Sequence, residues 1–368
     1  MSWTNTGGGP CRIGIYGYGK VAELHAKALA SVEGARLVAT CGRDAGKAAA
    51  FAARHAISAR ASAAEMVERD GVEAILVTTP HPLHRDHAVE SLEAGAHVLV
   101  EKPMALSVAD CDAMVETARR RGLTLGVISQ RRWYPANRRI REAIDAGKIG
   151  TPALGEVIML GWRDEAYYRS DPWRGSWAGE GGGVLVNQAP HQLDLLTWFM
   201  GQVEEVSAYW ANLNHPYIEV EDSAVASVRF ASGGLASILV SNSQKPGIYA
   251  KVHVHGRNGA SVGVQTDGGA MFIAGMSGIL EPPVNDLWTV PGEEGLLGGW
   301  KVEDEALFSR IDGTTHFFAL QLCDFVSAIR TGRPPAVSGE DGRAVVALFE
   351  AIYRSGREGR PVRPGKPS

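Results

Sequence analysis

From Cys11 onward the chain alternates short apolar runs with amphipathic stretches. The runs are RIGIYG, RLVATCG, EAILVTT, HVLVEK and TLGVISQ, and between them lie KVAELHAKALAS, AGKAAAFAARHA, AEMVERD, HRDHAVESLEAG and SVADCDAMVETARRRG. The apolar runs are short and near-continuous in hydrophobicity, as buried strands are; the stretches between them repeat apolar residues every three or four positions, as helices do. This alternation predicts a parallel sheet with helices on both faces, a doubly wound α/β domain over residues 1–134.

The rhythm changes at Pro135. ANRRIREAIDAG still reads as helix, but TPALGEVIMLGW, QVEEVSAYWANL, DSAVASVRFA, GLASILVSNS and KVHVHG alternate apolar and polar positions, the mark of an antiparallel sheet with one solvated or partner-facing side. Gly-rich ASGG and GRNG stand at hairpin positions. GGAMFIAGMSGILEPPVNDLWTVPGEEGLLGGW reads as loop-rich, with enough apolar content for a lid or an oligomer contact. HFFALQLCDFVSAIRTG and EDGRAVVALFEAIYRSG predict two closing helices. Residues 135–368 are therefore expected to form a second, α+β domain.

Composition adds limits. A chain of 368 residues exceeds one ordinary core, consistent with two domains. Its 37 basic and 41 acidic residues give a net charge of −4 with no long single-sign run, so a small molecule is expected as ligand, not nucleic acid or a membrane surface. Cys11, Cys41, Cys111 and Cys323 stand singly, which fits reduced thiols better than a disulfide framework. MSWTNTGGGPCR has neither the basic nor the apolar region of a signal peptide, and no apolar run approaches the roughly 20 residues of a membrane span. A cytoplasmic protein is expected.

The first chemical motif lies in RIGIYGYGKVAELHAKAL. Gly17, Gly19 and Ala22 form G-x-G-x-x-A after a strand and at the start of a helix. The first glycine permits the tight turn, the second lets backbone approach a pyrophosphate, and Ala22 lets the helix pack closely. Tyr18, Lys20 and Val21 share the turn, so they join the expected cofactor contacts. At the end of the second strand an NAD site usually offers an acid, whereas Cys41 and Gly42 stand here and Arg43 follows. Arg43 suits a 2′-phosphate or adenine stacking, and Asp44 suits a ribose hydroxyl, which leaves NAD or NADP with a slight lean to NADP.

The second motif is ILVTTPHPLHRDHAVESLEAGAHVLVEKPMAL. Ligands of open parallel sheets bind beyond the carboxyl ends of the strands, which places Thr79, Pro80, His81, His84, Glu101 and Lys102 at the cofactor crevice. A buried Lys is a usable acid or base once its pKa is depressed. Gln130 ends the next strand and belongs to the same group.

GGGVLVNQAPHQLD, Gly181 to Asp194, admits three readings. No Lys follows the glycines as a phosphate loop needs, and His191 with Asp194 makes too few ligands for zinc, so no metal is expected. The third reading has the glycines bring backbone close to the dinucleotide and its substrate while a helix beginning near Gln188 to His191 aims Asn187 and His191 into a cleft. A neutral imidazole accepts a hydroxyl proton there.

These motifs, with RRWYPA, WRGSWAGEGGG, NQAPHQLDLL and SGEDGRAVVALFEAIYRSGREGRPV, resemble the glucose-fructose oxidoreductase, inositol dehydrogenase and MocA (Gfo/Idh/MocA) family over nearly the whole chain. The resemblance implies a Rossmann domain, a second domain with a large open antiparallel sheet, and homodimers or homotetramers formed through that sheet. It implies hydride transfer between NAD(P) and a secondary hydroxyl or ketone of a pyranose, glycoside or cyclitol such as inositol. It assigns catalysis to Lys102 and His191. Many members carry Asp four residues before the histidine; Asn187 stands here, and an amide takes no proton, so it is left to bond a substrate hydroxyl or orient His191. By the same resemblance Trp173 and Arg174 reach the cofactor or close the site. Arg132, Trp133 and Tyr167 are expected at the substrate, with Trp162, Arg163, Asp164 and Tyr168 completing an aromatic and charged cluster near Tyr167. Two other functions compatible with the resemblance are glycoside cleavage through transient sugar oxidation and a non-catalytic cofactor-binding regulator.

Overall fold

The computed structural model describes residues 9–267 and 282–365. Six short strands build the first sheet: β1 (Cys11–Tyr16), β2 (Ala35–Cys41), β3 (Ser58–Arg60), β4 (Ala74–Val77), β5 (His97–Val100) and β6 (Leu125–Val127). Every pairing is parallel, in the order β3-β2-β1-β4-β5-β6, so the order reverses at β1 and β4. The connecting helices are α1 (Lys20–Leu29), α2 (Ala45–His55), α3 (Ala63–Asp70), α4 (His84–Glu93) and α5 (Val108–Arg121). Their ends follow local chemistry: Ser107 accepts the Asp110 N–H to start α5, and Gly122 in the left-handed conformation stops it. β4 and β5 have no exposed position, as expected of strands covered on both faces. Val98, Leu99 and Val100 are all 1% exposed or less, and each such side chain contributes about 1.5–3 kcal/mol on burial.

After α6 (Pro135–Asp145) the chain enters β7 (Pro152–Leu160) and then a helical excursion of α7 (Glu165–Arg169), α8 (Trp177–Glu180), α9 (Val184–Asn187) and α10 (Pro190–Met200). It then lays down β8 (Val203–Ala211), β9 (Ser223–Phe230), β10 (Leu235–Ser241), β11 (Tyr249–Gly256), β12 (Ser261–Asp267) and β13 (Val284–Trp288). The second sheet runs β13-β12-β11-β7-β10-β9-β8 and is mixed: β7 and β10 pair in parallel and the others antiparallel. The long passage from β7 back to β10 permits that departure from the antiparallel expectation, because only a long crossover can return a strand in the same direction. Along β9, Ala224, Ala226, Val228 and Phe230 are buried while Val225 and the positions between them are exposed, so the sheet covers a core on one side only.

Part of the stretch expected to be a loop-rich lid or oligomer contact is regular. It supplies β13 and α11 (Leu296–Phe308), whose Gly298 and Gly299 hide its helical period; residues 268–281 lie outside the described residues. The two closing helices are α12 (His316–Thr331) and α13 (Gly339–Glu358), the latter opened by a capping box of Ser338 and Asp341. Phe318, Leu322, Phe325 and Val326 of α12 join Ile13, Ile15 and Leu24 in one cluster, and α13 packs on β8 and α5. The chain's end thus spans both sheets. No described helix is long and apolar enough to cross a membrane.

Candidate active site

At the carboxyl ends of β1, β4 and β5, where the strand order reverses, lies a cavity of about 720 Å³, closed on its other side by the segments around α7 to α10. That is the crevice position of an open parallel sheet. Gly17, Tyr18, Gly19, Lys20, Val21, Arg43, Thr79, Pro80, His81, His84, Glu101, Lys102, Gln130, Tyr167, Trp173, Arg174, Asn187 and His191 all line it.

The glycine turn fits a dinucleotide on two observations. Gly17 has φ +129°, and a Cβ there would stand 2.6 Å from Thr78 Oγ1, so only glycine makes the turn. Gly19 opens α1 without any side-chain cap, leaving first-turn N–H groups facing open space where a Cβ would meet nothing within 4 Å. Uncapped N–H groups at a helix start are a ready phosphate site. At the tip of β2, Gly42, Arg43 and Lys47 line the cavity. Asp44, expected at a ribose, is not among the residues lining the cavity; its Oδ1 caps α2 by accepting the Lys47 N–H at 3.0 Å.

Lys102 and His191 meet across the cavity from different parts of the chain. Lys102 leaves the end of β5, and its Nζ donates to the Asn187 carbonyl at 2.8 Å. Desolvation, with the positive charges of Arg131 and Arg174, pulls the Lys102 pKa down to about 8, against the opposing pull of Glu101 and Glu180. His191, on the first turn of α10, is held well below its usual pKa by desolvation and by Arg131 and Lys102. It is therefore neutral near pH 7, and neither ring nitrogen bonds another described residue. A neutral imidazole and a lysine with an accessible neutral form can both take a proton from one ligand.

Neighbouring groups have partners of their own. Glu101 Oε1 lies 2.7 Å from His25 Nε2, deep behind the cavity. His84 bridges the Thr79 and Pro103 carbonyls, at 2.7 and 2.8 Å, and so ties two turns together where a cofactor contact was expected. His81 Nδ1 lies 3.2 Å from the Glu180 carbonyl, and its ring meets Trp173 edge-on. Arg174 stacks on Trp173 and Tyr167 and donates to the Tyr167 hydroxyl.

Three expectations need correction. Arg132 and Trp133 do not line the cavity. Arg132 is 4% exposed and pairs with Asp194 through Nε at 2.9 Å and Nη2 at 2.6 Å, while Trp133 packs on the main core. The adjacent Arg131 lines the cavity instead, because a tight turn over Gln130–Trp133 sends neighbouring side chains in different directions. The glycines of GGG are not cavity residues either. A Cβ on Gly183 would strike the Glu221 carbonyl, and one on Gly181 would strike Leu106, so they allow close packing within the protein and not approach to a ligand. In the upstream cluster Arg163 and Tyr167 reach the cavity, whereas Asp164 caps α7, Trp162 packs on the His215 ring, and Tyr168 is buried beside it.

Glu180 and Gln188 escaped the sequence reading. Glu180 stands just before the glycines in WAGEGGG, and that adjacency was its one signal.

Comparison with known proteins agrees with this architecture. Residues 11–129 match the model of an oxidoreductase family with an NAD-binding Rossmann fold, and residues 137–262 match the GFO/IDH/MocA C-terminal domain. Myo-inositol 2-dehydrogenase of Thermotoga maritima is 28% identical over 96% of this chain and 98% of its own. The scyllo-inositol 2-dehydrogenase (NAD(+)) of Bacillus subtilis is 27% identical over 95% of each. The WlbA dehydrogenase of Bordetella pertussis, solved with NADH and UDP-GlcNAcA, superposes with a TM-score of 0.85 at 28% identity, covering 98% of this chain and 99% of that one. With both halves matched and the crevice in its expected place, the chain belongs to the Gfo/Idh/MocA family of oxidoreductases with an NAD-binding Rossmann domain.

Proposed function

We propose that the protein oxidises a secondary hydroxyl of a sugar or cyclitol, or reduces the matching ketone, with Lys102 and His191 handling the hydroxyl proton. The observation that carries this reading is the convergence of those two residues, from β5 and α10, on the cavity that also holds the glycine turn. A nicotinamide dinucleotide bound there supplies the two-electron hydride acceptor. His191 accepts the proton, Lys102 bonds the same oxygen and shares its charge, and the Asn187 side chain bonds a neighbouring hydroxyl. Tyr167 and Trp173 hold the Arg174 guanidinium between their rings at the cavity wall. The test is a screen for reduced nicotinamide by its near-ultraviolet absorbance, with NAD and NADP against monosaccharides, disaccharides, anhydrosugars, uronic acids and inositols. Accumulation with at least one polyol supports the reading. Tight cofactor binding with no reduction across the panel would favour a regulator and overturn it.

One feature favours a charged substrate within that class. Lys102, Arg131, Arg163 and Arg174 line the cavity, against Glu101 and Asp171 as the acids of the same wall, and Asp171 is 3.3 Å from Arg174. That balance suits a sugar bearing a carboxylate or phosphate, and the similar WlbA dehydrogenase was solved with UDP-GlcNAcA. The uronic acids of the panel address it directly.

Within NAD or NADP we infer a slight lean to NADP, because Arg43 and Lys47 line the cavity at the tip of β2 and Asp44 does not. Arg43→Ala is expected to weaken NADP roughly tenfold or more and NAD little, as loss of a charge-assisted bond to a phosphate would. Equal loss for both cofactors by titration would remove the preference.

The exposed face of the second sheet carries Leu154, Tyr209, Val225, Leu235 and Leu239. Tyr209, Val225 and Leu239 stand opposite one another across β8, β9 and β10, so they form one continuous apolar row. A soluble monomer seldom leaves such a row bare, and a second copy of the chain is the occupant we assign to it. Val225→Glu should lower the mass measured by light scattering; an unchanged mass would dismiss this face as the interface.

A further inference from the structure

Glu180 is an ionisable group next to the proposed catalytic pair to which the reaction above gives no task. It is 1% exposed at the end of α8. Its Oε2 accepts the Gly175 N–H at 2.6 Å, and its Oε1 accepts from the Asn187 side-chain amide. A carboxylate only accepts, so this contact sets which end of the Asn187 amide is nitrogen. The second amide hydrogen goes to the Tyr167 hydroxyl at 3.0 Å. With both hydrogens committed, Oδ1 is the remaining polar atom of that side chain, and no described residue bonds it. The main-chain carbonyl of the same Asn187 holds Lys102 Nζ. One buried carboxylate thus stands behind both the amide and the amine.

We propose that Glu180 is a positioning residue: it locks Asn187 so that Oδ1 is offered as an acceptor to a substrate hydroxyl, and its charge supports the protonated form of Lys102. This rests on the functional reading above, in which Lys102 works on the substrate's hydroxyl proton. Glu180 is faced by Lys102 and Arg174 and by the hydroxyls of Tyr167, Tyr168 and Tyr353, and Lys102 is faced by Glu101, Arg131, Arg174, His81, His84 and His191. Burial raises the Glu180 pKa, and the Gly175 N–H, the Asn187 amide and the two cations oppose that rise. Its negative charge in turn raises the Lys102 pKa, which burial lowers.

The test is a reciprocal exchange. In Glu180→Gln one of the two carboxylate oxygens becomes an NH2, so either the Gly175 N–H or the Asn187 amide loses its acceptor; in both cases the lock on Asn187 loosens, and in the second the amide turns over and offers N–H groups where an acceptor stood. Turnover should fall roughly 10–100-fold with cofactor binding unchanged. Loss of the negative charge should also move the Lys102 pKa down, read without turnover as the pH dependence of amine labelling at Lys102 by mass spectrometry. Asn187→Asp sets two carboxylates in contact, which should also cut turnover and move the labelling pKa up. The double variant Glu180→Gln/Asn187→Asp restores one carboxylate and one amide, and is expected to recover most turnover and the wild-type labelling pKa. A labelling pKa unmoved in Glu180→Gln, or a double variant no better than either single, would overturn the proposal. Failure of the functional reading looks different: Lys102→Ala would keep its turnover whatever the exchange does to the labelling curve.

Discussion

Lys102→Ala is expected to lower turnover by roughly 10²–10⁴-fold while leaving dinucleotide binding intact, the range for removing a positioned acid–base group. Binding is spared because the glycine turn and the start of α1 form the phosphate end of the cavity, and neither depends on the lysine side chain. His191→Ala should lose turnover to a similar extent. The two losses should be far from additive, since both groups serve one proton. The pH profile separates them. With the Lys102 pKa near 8, oxidation by the wild type should fall as pH passes through about 8, where the amine loses the charge it shares with the substrate oxygen, and that limb should vanish in Lys102→Ala. His191, held well below its usual pKa, is already neutral there and adds no limb in this range. Wild-type turnover in either variant would remove that residue from the reaction.

The second large effect is on stability. Asp194 and Arg132 form a two-point pair, each side chain 5% exposed, with Ser129 Oγ also donating to Asp194 and Arg132 reaching Asp341 Oδ1 at 3.1 Å. The guanidinium lies over the Trp198 ring. The pair links the turn after β6 to α10 and to the start of α13, so it joins segments that carry both sheets. Asp194→Ala leaves a buried guanidinium short of its main partner, a change that costs about 3–5 kcal/mol. For a protein of this size that is a fall in melting temperature of about 5 °C. Asp194→Asn, which keeps the shape and some hydrogen bonding, should fall less. Because Asp194 is three residues from His191 on α10, turnover should drop with the Ala variant even below its melting point. A melting curve superposable on the wild type would mean that the pair contributes no net stability.

The positions legible in the sequence share a property: a short local pattern decides them. G-x-G-x-x-A makes its turn through the backbone of six residues, and the strand–helix alternation that frames it is written in hydrophobic period alone. The helix at His191 and the strand end at Lys102 are likewise local. Mistakes arose where the outcome depends on which way a side chain leaves a turn, or on what packs against it. RRW offers two adjacent arginines of equal chemistry; the turn sends Arg131 to the cavity and Arg132 to Asp194. GGG has the composition of a ligand loop, yet its demand for glycine comes from Leu106 and Glu221, distant in sequence.

The sequence by itself determined the parallel first sheet, the largely antiparallel second one and the glycine turn, because each rests on residue spacing within one element; Lys102 and His191 are singled out by the family resemblance. The tertiary structure alone decided how those pieces work together. The Lys102–Asn187 bond spans 85 residues and the Arg132–Asp194 pair 62, so neither has a local signature. The carboxylate behind Asn187 is also a product of packing: α8 and α9 bring Glu180 against an amide that no spacing rule could have paired with it. Desolvation is what turns these contacts into chemistry, and desolvation exists only once the two halves of the chain have closed on one cavity.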